Sequence, residues 1–235
     1  MKRTLGMVAA SVAHQVRNPL TTLASGLPAM RRRIGSGLDA ASLEMLDTML
    51  DCAGRIEQVT NDLLDLSRVD RAEDDDVRPG AGLLAAVRLA RARVSSTDVR
   101  VEVDVDEDAV LRGRAGDLNQ VFLNLLDNAV RAVGDQGRIR VEARVEEGAY
   151  VVRVGDSGSG VPEGFRERVF EPFWTSRPAG QGTGLGLAIA KQVVEAHAGQ
   201  IAVGLSALGG AAFEVRLPLT RSAGRSARAG TRLSA

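Results

Sequence analysis

At 235 residues and 44% hydrophobic content the chain can bury a real core, and its length favours one or two domains. Thirty basic residues balance thirty acidic ones, which excludes a global field toward nucleic acid or a membrane, and 3% aromatics argues against base-stacking platforms. One cysteine, Cys52, rules out an internal disulfide framework, no apolar run reaches the roughly 18 residues of a membrane span, and Met1-Lys2-Arg3-Thr4-Leu5-Gly6 lacks a signal-peptide core, so a cytoplasmic segment without membrane or nucleic-acid contact is expected.

In chain order, Leu5, Ala9, Val12, Val16, Leu20, Leu23, Leu27, Met30 and Ile34 step by three or four, which predicts a helix over residues 5–33 with one buried face. His14 falls off that stripe, so its imidazole is available for chemistry, and a neutral ring nitrogen is a good nucleophile near pH 7. Pro19 predicts a kink close to it. Ile34-Gly35-Ser36-Gly37 is a breaker suited to a helical hairpin. Leu43, Leu46, Leu50, Ala53, Ile56, Val59, Leu63 and Leu66 then predict a second helix to about Val69. Two such helices cannot bury both stripes as an isolated pair, whereas a dimeric four-helix bundle can.

The charge run Arg71-Ala72-Glu73-Asp74-Asp75-Asp76, ending near Pro79-Gly80, reads as a solvated linker over residues 71–79. Beyond it the pattern predicts helices at 82–94, 117–133 and 186–198. Strands are expected at 99–105, 138–145, 150–154, 200–205 and 211–217. This mixture indicates a two-layer α/β sandwich of the α+β kind over residues 80–219, not a doubly wound parallel sheet. Residues 220–235, with four arginines and no apolar pattern, are expected to be disordered.

Four segments of the second half carry chemistry. Asn124, Asn128 and Arg131, spaced by four and three, share one helical face and offer oxygen ligands for Mg²⁺ beside a planar phosphate donor. Asp156-Ser157-Gly158-Ser159-Gly160 follows an apolar strand. Its carboxylate can accept a hydrogen bond from an exocyclic amine, while Gly158 and Gly160 let the backbone approach a flat ring. Phe170-Glu171-Pro172-Phe173-Trp174-Thr175-Ser176-Arg177 holds three of the seven aromatics and reads either as a core anchor or as the hinge of a lid. Gly180-Gln181-Gly182-Thr183-Gly184-Leu185-Gly186 enters a helix, where free N–H groups and the dipole favour polyphosphate. It lacks a Walker lysine.

In this order and combination, the chain resembles the catalytic core of a bacterial sensor histidine kinase over residues 5 to 218. Ser11-Val12-Ala13-His14-Gln15-Val16-Arg17-Asn18-Pro19-Leu20 is similar to the phosphoacceptor box, residues 117–133 to the asparagine box, and residues 156–160 and 182–186 to the two glycine boxes. Residues 170–175 are similar to the phenylalanine box. The resemblance implies a dimerisation and histidine phosphotransfer domain at 1–70 and a Bergerat-type ATP-binding domain at 80–219, of the kind shared with gyrase and MutL. It implies a homodimer, ATP and Mg²⁺ as cofactors, and a response regulator receiver domain as partner.

Carried over, the resemblance makes His14 the phosphate acceptor, Asn124 and Asn128 the Mg²⁺ site, and Asp156 the reader of the adenine amino group. Thr175, Gly182, Thr183, Gly184, Leu185 and Gly186 would belong to a mobile cover over the phosphates. His197 is expected to be structural. Asn124 stands where related ATPases carry a glutamate that activates water, and an amide cannot act as that base. Gln15 departs from the acidic residue that usually follows the histidine: it can accept the same hydrogen bond but cannot take the proton. Asn18 resembles the residue that orients water for dephosphorylating the regulator, so phosphatase activity is implied as well. The alternatives are a kinase-impaired phosphatase or ATP-sensing scaffold, supported by Gln15, and a gyrase-type ATPase, opposed by Asn124.

Overall fold

The computed structural model describes residues 26, 28, 39–67, 75–177 and 183–219. His14, Gln15, Asn18, Pro19, the breaker at 34–37, Gly182 and the tail from Thr220 lie outside the described residues.

Helix α1 spans Ala40–Ser67. Asp39 caps it, its Oδ1 accepting the Ser42 N–H at 2.8 Å, and hydrogen bonding from the Ser42 side chain, then from its N–H, holds the carboxyl below the usual aspartate range. Leu46 and Ala53, one heptad apart, are buried, whereas Met45, Met49 and Ile56 are 63%, 49% and 46% exposed. At 3.6 residues per turn these five fall in one stripe about 100° wide, whose Met45, Met49 and Ile56 edge has no cover within the described chain.

The rest is a sandwich. Its elements are β1 (Asp75–Val77), α2 (Pro79–Arg93), β2 (Asp98–Val105), β3 (Leu111–Gly113), α3 (Ala115–Val133), β4 (Gln136–Glu146), β5 (Ala149–Asp156), α4 (Gly186–Ala196), β6 (Gln200–Leu205) and β7 (Ala211–Pro218), with short 3-10 turns at Glu163–Phe165 and Arg168–Phe170. The five main strands lie in the order β2-β4-β5-β7-β6. Only β2 and β4 run parallel, because α3 crosses over between them. The turn from β4 to β5 needs just Glu147 and Gly148, both at positive φ (50° and 80°), the geometry of a tight hairpin.

Two differences from the expected layout concern short pieces. Residues 75–77, expected as linker, form β1 and pair antiparallel with β3, Asp75 opposite Gly113 and Val77 opposite Leu111. Helix α2 starts at Pro79 rather than 82, because proline suits the first helical position, where its missing N–H costs nothing.

The core lies between the helices and one sheet face. Leu118, Val121, Phe122, Leu125, Leu126 and Ala129 form the buried stripe of α3, and meet Ile139, Val141, Val152, Val154, Phe213 and Val215. Side chains of this size each contribute about 1.5–3 kcal/mol when fully buried. The other sheet face is an ion-pair lattice: Arg140 with Glu102, Arg144 with Asp104, and Arg153 gripping Glu146 with both Nη atoms and Glu214 with Nε. The two carboxylates raise the Arg153 pKa further above its already high value. With one face apolar and the other charged, α3 and the carboxyl end of β5 are fixed side by side.

Candidate functional site

Asp156 is the last residue of β5 and is 2% exposed. Its Oδ1 accepts N–H groups from Gly158 at 2.8 Å and Ala211 at 3.2 Å, while Oδ2 has no hydrogen-bond partner among the described residues. Burial pushes the carboxyl above the ordinary 3.8, and the two N–H bonds oppose that shift. A buried carboxylate with one oxygen fixed and one open is an acceptor for an amine brought by a ligand.

The glycines around it are required by space. A Cβ on Gly158 would stand 2.5 Å from the Ala132 carbonyl oxygen, and one on Gly210 would stand 2.2 Å from Asp156 Oδ1. Gly160 has φ +71°. Gly158 therefore presses on α3 at Ala132, one turn beyond Asn128, joining the carboxylate segment to the amide face. Gly210 and Ala211 were not anticipated; their only sequence signal is the Gly209-Gly210 turn ahead of a strand.

On α3, Asn124 and Asn128 are half-buried on one face. Asn124 Nδ2 donates to the Gly186 carbonyl at 2.8 Å, and its Oδ1 meets Gln120 Nε2 at 3.5 Å. Asn124 therefore ties α3 to the start of α4. Arg131, expected to add positive charge, has its Nε on Asp127 Oδ2 at 2.7 Å, and Arg93 takes Asp127 Oδ1. Much of its charge is thus spoken for. The guanidinium that reaches the amide face is Arg177, with Nη2 3.5 Å from Asn128 Oδ1. It too was not anticipated as a site residue, although its signal was present: a cation two residues past Thr175, just ahead of the glycine-rich stretch.

The aromatic segment serves two ends. Phe170 is a core anchor, edge-on to Phe213 with centroids 6.3 Å apart. Phe173 is 65% exposed, has φ +67°, and donates its N–H to the Gly184 carbonyl at 2.9 Å. Gly184 (φ +66°) leaves no room for a side chain, since its Cβ would lie 2.5 Å from the Phe173 carbonyl carbon. Thr175 Oγ1 accepts the Arg177 N–H at 3.1 Å and Thr183 Oγ1 the Leu185 N–H at 3.2 Å. Leu185 is fully buried ahead of α4. His197, beyond the C-terminus of α4, sits between the Val193 carbonyl (Nδ1, 2.7 Å) and the Arg114 N–H (Nε2, 3.1 Å), so it ties α4 to the start of α3 as a structural group.

The donors fit a magnesium nucleotide. Among the described residues no group of three His, Cys, Asp or Glu side chains stands ready to hold a metal. The amide oxygens of Asn124 and Asn128 are neutral, hard ligands that suit Mg²⁺ when phosphate oxygens complete its shell.

The chain matches two family models. The His Kinase A (phospho-acceptor) domain covers residues 4–72, and the histidine kinase-, DNA gyrase B- and HSP90-like ATPase covers residues 113–221. It is 32% identical over 220 residues to the signal transduction histidine-protein kinase AtoS of Escherichia coli, covering 92% of this chain and 35% of that protein. To sporulation kinase A of Bacillus subtilis it is 30% identical over 216 residues, 91% of this chain and 34% of the relative. Among solved structures, the mycobacterial sensor histidine kinase MprB aligns with TM-score 0.56 and 33% identity over 62% of this chain and 97% of that one. Full-length ShkA in complex with AMPPNP aligns with TM-score 0.73 and 25% identity over 90% of this chain and 45% of that one. The chain thus spans about a quarter to a half of the length of the curated relatives it matches.

Proposed function

The chain belongs to the sensor histidine kinases of two-component systems, and from that premise we propose that it transfers the γ-phosphoryl group of ATP to His14 and passes it to an aspartate of a response regulator. One observation carries the reading. A chain whose phospho-acceptor match at 4–72 contains a single histidine, His14, also builds the buried Asp156 carboxylate with an open Oδ2 beside the Asn128 face.

In this reading Asp156 Oδ2 accepts the exocyclic amine of adenine, and Gly158 and Gly160 let the backbone lie against the ring. Asn128 and Asn124 hold Mg²⁺, which neutralises charge on the phosphate oxygens. A ring nitrogen of His14 attacks the γ-phosphorus in line. The P–N bond forms as the bond to the bridging oxygen breaks, and ADP leaves with that electron pair. The remaining ring N–H gives its proton to water, because the Gln15 amide cannot take it at neutral pH. Positioning and charge neutralisation carry most of the rate. Asn124 supplies no base for water, so the nucleotide is spared until His14 arrives.

Residues 1–70 act as the dimerisation and phosphotransfer unit, and the catalytic sandwich starts at β1. Asn18, four residues beyond His14 in the sequence, is the feature that favours a second activity as the regulator's phosphatase. The site is tested with Asn128→Ala. Mg²⁺-dependent nucleotide binding or turnover is expected to be lost while thermal unfolding stays near wild type, and unimpaired Mg²⁺-dependent binding and turnover would contradict the assignment.

A further inference from the structure

Arg177 is a half-buried cation that lacks a carboxylate of its own among the described residues. Asp127, the residue before Asn128, already serves Arg93 and Arg131 through its two oxygens. Arg177 instead sets Nη2 3.5 Å from the neutral Asn128 Oδ1, with its backbone N–H pinned 3.1 Å from Thr175 Oγ1. A third guanidinium next to a carboxylate already shared by two gains from an incoming polyanion. The oxygen that Arg177 contacts is also the one a divalent ion would need.

We propose that Arg177 is a place-holder for the metal: its guanidinium and Mg²⁺ compete for Asn128 Oδ1, and Mg²⁺ displaces Arg177 toward the phosphates. This rests on the reading of Asn128 as a metal ligand. A contact of this kind is weak enough to be displaced and strong enough to raise the Mg²⁺ requirement for nucleotide binding. Arg177 thereby makes the site respond to nucleotide and metal together rather than to either alone.

The test uses the full chain and a fluorescent non-hydrolysable ATP analogue at fixed concentration, with Mg²⁺ titrated against wild type, Arg177→Gln, Arg177→Lys and Asn128→Ala. Thermal unfolding of each variant checks the fold. Removing the competitor in Arg177→Gln lowers the half-saturating Mg²⁺ by about three- to tenfold, as expected for one modest hydrogen bond. Arg177→Lys, which keeps the charge but loses the planar fork, falls between. An unchanged or higher Mg²⁺ requirement in Arg177→Gln, with Asn128→Ala still abolishing the Mg²⁺ dependence, overturns the place-holder and leaves the metal assignment standing. Mg²⁺ dependence that survives Asn128→Ala overturns both.

Discussion

Asp156 shows at the scale of one residue how binding and stability pull apart. Its charge sits at 2% exposure, and burial holds its pKa above 3.8. Such a group contributes stability that is present below its unfolded pKa and lost as pH rises through the folded value. In the proposed site ligand binding runs the other way, because only the ionised carboxylate would be a full acceptor for the adenine amine. Asp156→Asn keeps an Oδ1 for the Gly158 and Ala211 N–H groups, so its thermal unfolding temperature is expected to match or exceed wild type. Its nucleotide affinity should fall about ten- to hundredfold, the cost of losing a charge-assisted bond. Wild-type affinity should weaken on acidification at a higher pH than an ordinary aspartate would allow, and that acid limb should vanish in the variant. Equal affinity of the two proteins would remove Asp156 from adenine recognition. Asp156 was legible because a carboxylate followed by two spaced glycines at a strand end is a local pattern. Gly210 and Ala211 were not, because the bond that fixes Oδ1 comes from 55 residues away.

At the scale of elements, α3 holds the site together through contacts on three sides. Gly158 presses on its Ala132 carbonyl, Asn124 holds Gly186 of α4, and His197 receives the Arg114 N–H at its start. Gly158→Ala would force a methyl 2.5 Å from a backbone oxygen, where no flexible side chain can yield. A loss of about 1–3 kcal/mol in urea unfolding is expected, together with weaker nucleotide binding, since α3 and the end of β5 must separate. Wild-type stability in this variant would mean that the strand end is freer than the contact implies. The long elements were legible from periodicity: α3 and the strands β4, β5, β6 and β7 fall close to their expected spans. The three-residue strands β1 and β3 were not, because a pattern of period two cannot be counted over three residues. Nor could alternation tell that β2 joins β4 in parallel, since that is set by the crossover through α3.

At the scale of the whole molecule, Met45, Met49 and Ile56 of α1 are exposed among the described residues and offer an apolar surface to a partner. The homodimer proposed from the helical bundle supplies one. Met49→Glu combined with Ile56→Glu should raise the dimer dissociation constant at least about tenfold in sedimentation equilibrium, since each buried apolar side chain is worth about 1.5–3 kcal/mol. An unchanged constant would place the interface elsewhere. The proposed homodimer brings the phosphotransfer segments together, and the proposed chemistry joins them to the sandwich. Incubating the chain with γ-labelled ATP and Mg²⁺, then treating it with acid or base, tests that claim most directly. Wild type should carry label that survives base and is lost in acid, the signature of a phosphohistidine, and Gln15→Glu should label faster. His14→Ala should bind ATP normally and carry no label. Acid-labile label retained on His14→Ala, or none on wild type at saturating ATP, would contradict the account.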